Sequence, residues 1–162
     1  MEQLWAPWRM KYVNNQEHTG ECVFCSAAQH EDGPENLVVY RYNYSFVILN
    51  RFPYTSGHLM VVPFAHQSSI EALDAATRGE VMELVNRAML VIRAEYHPEA
   101  FNLGANIGAA AGAGIAEHVH FHVVPRWGGD TNFMSAVGDT RVIPEELSET
   151  YRRIAERWKA MG

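Results

Sequence analysis

Apolar positions along this chain follow two rhythms, one near a period of two in short stretches and one near 3.6 in longer ones. Leu37 to Arg41 and Ser45 to Leu49 read as strands joined by a polar Tyr42-Asn43 turn. Asn50 to Gly57 carries Pro53 and Gly57 and reads as a loop, and His58 to Pro63 (HLMVVP) as a third strand. Ser68 followed by Glu71 has capping-box spacing and predicts a short helix from Ser69 to Leu73. Thr77 opens a longer helix to Tyr96, with Val81, Leu84, Val85, Ala88, Val91 and Ile92 on its buried face. His97-Pro98 ends it. Phe101 to Asn106 and His118 to Val124 read as fourth and fifth strands, with a Gly/Ala loop between them. Glu145 to Met161 reads as a C-terminal helix that Pro144 could open. Its apolar positions, like Trp5 and Trp8, cover a sheet edge, form a subunit contact or pack in the ordinary way. Residues 1–35 read as irregular, punctuated by Pro7, Gly20, Gly33 and Pro34. Strands in succession with short turns, and grouped helices, argue for an α+β fold with an antiparallel sheet.

Composition narrows the class. A chain of 162 residues, 48% hydrophobic and 20% charged, suits one globular domain over 1–162 and buries a core without disulfide staples. The net charge is −6 and no basic stripe is present, so nucleic acid is not expected as a partner, whereas a local phosphate site stays open. Met1 to Trp5 form no charged-then-apolar leader. The uncharged stretch from Leu103 to Ala116 is too short and too rich in glycine to span a bilayer. A cytoplasmic protein with no membrane partner is the expectation.

The chemistry concentrates in His118-Val119-His120-Phe121-His122-Val123-Val124. Strand side chains alternate faces, so His118, His120 and His122 are expected on one face and Val119, Phe121 and Val123 on the other, in the core. A surface strand with incidental histidines is the bland alternative, but three at strict period two over an apolar face suit phosphate or metal binding better. A three-histidine zinc site fits poorly. Same-face residues lie roughly 6.5 to 7 Å apart on a flat strand, and three bonds of about 2.0 Å to one ion demand closer convergence. The loop Gly108 to Gly114 is nearly bare of side chains, so its N–H groups can approach an anion, although it would also serve as a flexible turn. Cys22 and Cys25, spaced C-x-x-C, read as a redox pair or half a metal site, and no thioredoxin-like βαβ pattern surrounds them. A free reduced pair, or a local site completed by His18 and His30, is the alternative.

Together these stretches resemble the histidine-triad (HIT) family. The carriers are H-V-H-F-H-V-V after a Gly-rich loop, Cys22-Val-Phe-Cys25, Asn50-Arg-Phe-Pro-Tyr-Thr-Ser-Gly-His58-Leu-Met-Val-Val-Pro63 with His66 following, and Asn106-x-Gly108. Trp5-Ala-Pro-Trp-Arg9 and the run from Val123 through Trp127 to Phe133 resemble the bacterial branch related to diadenosine tetraphosphate phosphorylases. The resemblance implies a five-stranded antiparallel sheet with a long, a short and a C-terminal helix, paired into a homodimer or higher homo-oligomer. It implies phosphorolysis or hydrolysis of dinucleoside polyphosphates, such as diadenosine tetraphosphate, through a nucleotidyl-phosphohistidine. Phosphoramidate hydrolysis, another nucleotidyl transfer, or a zinc-stabilised nucleotide-binding module without turnover are the alternatives.

By the same resemblance His120 is the nucleophile and His122 binds the phosphate oxygens. Asn50 holds the ribose, Asn106 and the backbone around Gly114 hold phosphates, and Val23, Phe24 and Leu49 wall the base. His58 and Trp127 complete the expected substrate contacts. Structural zinc is expected on Cys22, Cys25, His66 and His118, with no organic cofactor. One departure concerns the loop, where many relatives place Gly-Gln and this chain has Ala113-Gly114. Backbone donors must substitute there, and phosphate and water both remain open as the second acceptor. Glu117 is expected to point away from His118.

Overall fold

The structure, a computed structural model, describes residues 20–130 and 144–162. Five strands, β1 (Val38–Arg41), β2 (Ser45–Leu49), β3 (Leu59–Pro63), β4 (Ala100–Gly104) and β5 (Phe121–Arg126), form one sheet in the order β1-β2-β3-β5-β4. All neighbouring pairs are antiparallel. Three α-helices accompany it: α1 (Val23–Gln29), α2 (Ala75–Tyr96) and α3 (Leu147–Ala160). The expected α+β architecture is present. Among the described residues no helix is long and apolar enough to cross a membrane.

Strand register assigns the two faces. Tyr40 pairs with Val47, Val47 with Val61 and Val61 with Phe121, while Leu49 pairs with Leu59 and Leu59 with Val123. Paired residues share a face. Tyr40 stacks on Trp158 of α3 at 5.2 Å, and Arg87 of α2 lies over both rings, so this face is covered by α2 and α3. The opposite face carries Ile48, Met60 and His122, which pair in turn across β2, β3 and β5. Trp158 is 1% exposed and Ile154 wholly buried, so within the described chain the C-terminal helix packs into the core. Trp5 and Trp8 lie outside the described residues.

Several boundaries differ from the sequence reading, each for a local reason. The segment expected to be irregular contains α1, too short to show helical periodicity. Its C-terminal end is fastened by Arg41, whose guanidinium donates to the carbonyls of Ala27, Ala28 and His30. The short helix is a 3-10 turn over Ile70–Ala72, and the Ser68 capping box does not form. Ser69 is the N-cap, and its hydroxyl bonds the Glu71 carboxylate instead. The long helix starts two residues before Thr77 because Asp74 caps it, accepting the Thr77 N–H at 2.8 Å. It stops at His97, whose φ of 49° breaks the helical path ahead of Pro98. α3 opens after Glu146 rather than at Pro144.

The largest correction is β5. It begins at Phe121, not His118. Its pairing with β3 runs out at Phe121, opposite Val61, and the chain upstream peels away so that Val119 N–H bonds the Gln67 carbonyl at 2.7 Å. The three histidines therefore do not share one flat strand face.

Candidate active site and metal cluster

Each triad histidine has a different environment. His118 is 1% exposed, and its Nε2 lies 2.9 Å from the Pro63 carbonyl. A carbonyl only accepts, so Nε2 carries the proton and Nδ1 presents its lone pair. Facing that lone pair are Cys22 Sγ at 3.3 Å and Cys25 Sγ at 3.7 Å, while His66 Nδ1 is 3.2 Å from Cys25 Sγ. All four donor atoms lie within 4.8 Å of one another. Tetrahedral zinc with bonds of about 2.3 Å to sulfur and 2.0 Å to nitrogen separates S and N ligands by about 3.5 Å. The observed spacings bracket that value, and the His118 tautomer is the one a metal needs. The four residues fit a closed, four-coordinate metal site. Both cysteines are free thiols, and burial together with the neighbouring Cys22 pushes the Cys25 thiol up. His30, the alternative ligand, turns its Nδ1 to the Ser26 carbonyl at 2.7 Å, and His18 lies outside the described residues.

His120 is 5% exposed, and its Nδ1–H donates to the carbonyl of His118 at 2.9 Å. The remaining nitrogen, Nε2, holds the lone pair. Burial drives the ring toward its neutral form, outweighing the opposite pull of that carbonyl. A neutral imidazole with a fixed tautomer is a competent nucleophile near pH 7. Its ring meets His122 at 5.0 Å and Phe24 at 4.8 Å.

His122, the one triad member inside β5, is tied to His58. Tyr54 N–H donates to His58 Nδ1 at 3.1 Å, which leaves the proton on His58 Nε2. That proton points at His122 Nδ1, 2.9 Å away, so the neutral His122 ring carries its own proton on Nε2. The Tyr54 ring lies over His58 at 4.7 Å and stacks with His122 at 6.1 Å. The chain thus sets the tautomers in order, from a backbone amide through His58 to His122.

Other expected site residues are placed less uniformly. His58 is wholly buried, so it stands behind His122 rather than against a substrate. Leu49 faces the helices, whereas Ile48 and Met60 share the His122 face; a shift of one residue changes sides. Phe24 is 3% exposed, its ring taken up by His118 and His120, while Val23 is 54% exposed. Asn50 Oδ1 accepts the Phe52 N–H at 2.9 Å, which orients the carboxamide. Asn106 reaches Gly112 O at 3.4 Å. In the loop, Gly108 and Gly112 have φ of 83° and 85°, which a side chain would strain. Ala111, Gly112 and Ala113 N–H groups close the loop on Gly108 and Ala109 carbonyls. Those of Gly114, Ile115 and Ala116 donate to no backbone acceptor among the described residues. Trp127 lies five residues past His122, roughly 16 Å along an extended strand, and the structure does not bring it to the histidines of its own chain. Glu117 is exposed.

The sequence model of the HIT domain matches residues 33–129. The chain belongs to the HIT domain family. AP-4-A phosphorylase of Mycobacterium tuberculosis is 40% identical over 166 aligned residues, covering 98% of this chain and 85% of that protein. A Zn-bound histidine triad family protein from Mycobacterium smegmatis superposes with a TM-score of 0.70 at 26% identity, covering 88% of this chain and 96% of that one. A hypothetical histidine triad nucleotide-binding protein from Sulfolobus tokodaii gives 0.69 at 26% identity, covering 86% and 93%. Within this HIT domain, sequence reasoning missed Tyr54 and the Ile48-Met60 wall. The motif N-R-F-P-Y-T-S-G-H contains Tyr54, but only the loop's return toward β3 reveals its contacts with His58 and His122.

Proposed function

We propose that this protein cleaves dinucleoside polyphosphates such as diadenosine tetraphosphate, passing a nucleoside monophosphate unit through His120 to inorganic phosphate. The observation that carries the reading is the buried bond from His120 Nδ1–H to the His118 carbonyl, which aims the free lone pair of Nε2. The 40% identity to AP-4-A phosphorylase over nearly the whole chain supports the substrate class.

In the first half-reaction His120 Nε2 attacks the α-phosphorus. The P–N bond forms as the P–O bond to the departing nucleotide breaks, and for diadenosine tetraphosphate ATP leaves. His122, with its proton held on Nε2, donates to the oxygens on which charge develops. The amides of Gly114 to Ala116 and the Asn106 carboxamide hold non-bridging oxygens, and the Asn50 carboxamide holds the ribose hydroxyls. Val23, Ile48 and Met60 border the base. In the second half-reaction a phosphate oxygen attacks the phosphohistidine, the P–N bond breaks, and ADP leaves.

Zinc is the metal we assign to Cys22, Cys25, His66 and His118, and when bound it supplies a cross-link between α1, the chain after β3 and the chain before β5. A second copy of the chain pairs along β4, an edge strand that leaves Leu103 49% exposed, with Ile107 41% exposed just beyond it. We place the protein in the cytoplasm, which suits its two reduced cysteines.

The test is to incubate purified protein with diadenosine tetraphosphate, with and without inorganic phosphate, and identify products by mass. ADP and ATP that appear only with phosphate are expected. AMP and ATP without phosphate would make the protein a hydrolase, and no turnover with intact binding would leave only a binding module.

A further inference from the structure

Helix α1 meets the histidine segment through three side chains. Cys22 at its N-cap and Cys25 in its first turn approach His118 Nδ1. Phe24, between them, packs edge-on against His118 at 5.4 Å and against His120 at 4.8 Å. His118 also holds His120 through its carbonyl. The His120 ring is therefore braced by Phe24, which is flanked by two members of the cysteine-histidine cluster, and by His118, which is itself a member. α1 has only seven residues, and its N-cap side chain makes no capping bond. At its C-terminal end Arg41 fastens it, and at its N-terminal end the cluster faces it.

We propose that Phe24 is a positioning residue for His120 and that metal held by Cys22, Cys25, His66 and His118 sets its place, so that metal occupancy fixes the orientation of the nucleophile. With the cross-link in place, α1 holds the Phe24 ring against one side of the imidazole while the His118 carbonyl fixes Nδ1. Without it, α1 is anchored at one end only, and the phenyl ring withdraws from the imidazole. The His120 ring then gains freedom to rotate and its Nδ1–H bond opens more often. Displacements near 1 Å at a reacting atom cost about 10²-fold in rate. The inference rests on the functional reading only in calling His120 the nucleophile; the orientation itself is independent of any substrate.

The experiment is ¹⁵N-edited NMR of the histidine side chains in three samples: zinc-loaded protein, protein freed of zinc by a chelator, and zinc-loaded Phe24→Leu. Circular dichroism checks folding, and elemental analysis checks zinc content. In the zinc-loaded protein His120 is expected to give one sharp Nδ1–H resonance. In the other two samples its exchange with solvent speeds by about tenfold, the factor for one buried hydrogen bond, while the His58 and His122 signals keep their widths. Single-turnover nucleotidyl transfer falls in parallel, by about tenfold or more, with AMP affinity unchanged. If zinc-free protein unfolds, Phe24→Leu decides the matter, since it retains the metal. A His120 resonance equally sharp in a folded zinc-free sample or in Phe24→Leu overturns the proposal. Absent nucleotide turnover with the expected changes at His120 would sink the functional reading and leave the positioning role standing.

Discussion

Replacing His58 with phenylalanine tests the tautomer chain behind His122. The substitution keeps a planar ring of similar bulk at a wholly buried position and removes both ring nitrogens. Two bonds go, the Tyr54 N–H to Nδ1 at 3.1 Å and the Nε2–H to His122 at 2.9 Å. The first leaves a partly buried amide without that acceptor, at a cost near the low end of the usual range, about 1 kcal/mol. For a chain of this length that lowers Tm by about 2–4 °C. The second bond, with a net value of about 0.5–1.5 kcal/mol, is what biases His122 toward Nε2–H. Its loss lets the other tautomer compete, and only the first presents a donor to the phosphoryl oxygens. The expected fall in kcat/KM is therefore about 2- to 10-fold, measured by chromatography of the nucleotides released from diadenosine tetraphosphate in the presence of phosphate. An unchanged kcat/KM beside a lowered Tm would show that His58 merely fills space. A fall as deep as that of a His120 variant would show that His58 takes part in the chemistry itself. Either result refutes the relay as described.

His120→Asn should reduce turnover by roughly 10⁴-fold or more while AMP still binds, read by stopped assays and calorimetry; measurable burst formation of a phospho-enzyme in this variant would remove His120 as nucleophile. Leu49→Ala and Ile48→Ala separate the two faces of β2. The first should cost about 2–5 kcal/mol of stability in denaturant titrations with KM unchanged, and the second should raise KM, and the reverse outcome would place the base on the helix side. Glu95 and Glu145 give a pH dependence. Burial alone would raise both carboxyls, but Arg153 and Arg157 beside Glu95, and Tyr96, Thr150 and Arg153 beside Glu145, outweigh it and hold them below the usual carboxylate range. A depressed folded value stabilises the protein above the unfolded value of about 4.3 and loses that contribution as pH falls through the folded value. Tm should therefore drop as pH is lowered below about 4, and Glu95→Gln should flatten that slope; an unchanged slope would remove Glu95 from the acid response.

What could be read from the sequence divides along the range of the interactions involved. Strand existence and the buried face of α2 rest on local periodicity, and Val81, Leu84, Val85, Ala88, Val91 and Ile92 are all buried as their spacing predicts. Element ends depend on side chains that compete for the first free amides. Asp74 outbids Thr77 as the start of α2, and Ser69 prefers the Glu71 carboxylate to a capping role. The assignment of Leu49 to the base wall failed because facing depends on register across three strands. That register includes a bulge between Val38 and Tyr40, which no periodicity within β2 records. α1 was illegible because its helix is as much a product of Arg41, nine residues from the nearest carbonyl-bearing turn at Asp32 and farther from Ala28, as of its own composition.

The triad shows why a correct list of residues can coexist with a wrong geometry. Strict alternation suggested three equivalent imidazoles on one strand face, and that face would have been a poor catalyst, since equivalent rings compete for one phosphate. The chain instead leaves the sheet between His120 and Phe121, where the last β3 pair ends and Gln67 takes the Val119 amide. That departure lets each ring choose a different carbonyl or imidazole as partner. His118 gives its proton to Pro63 and its lone pair to the cysteines; His120 gives its proton to His118 and keeps its lone pair; His122 takes a proton from His58 and keeps its own. Three copies of one side chain thus become a ligand, a nucleophile and a donor through hydrogen bonds whose direction is fixed by groups that can only accept or only donate. Division of labour in this motif is therefore a property of the residues that receive each proton, Pro63 O and His118 O, and of the one that supplies it, His58, rather than of the histidine spacing.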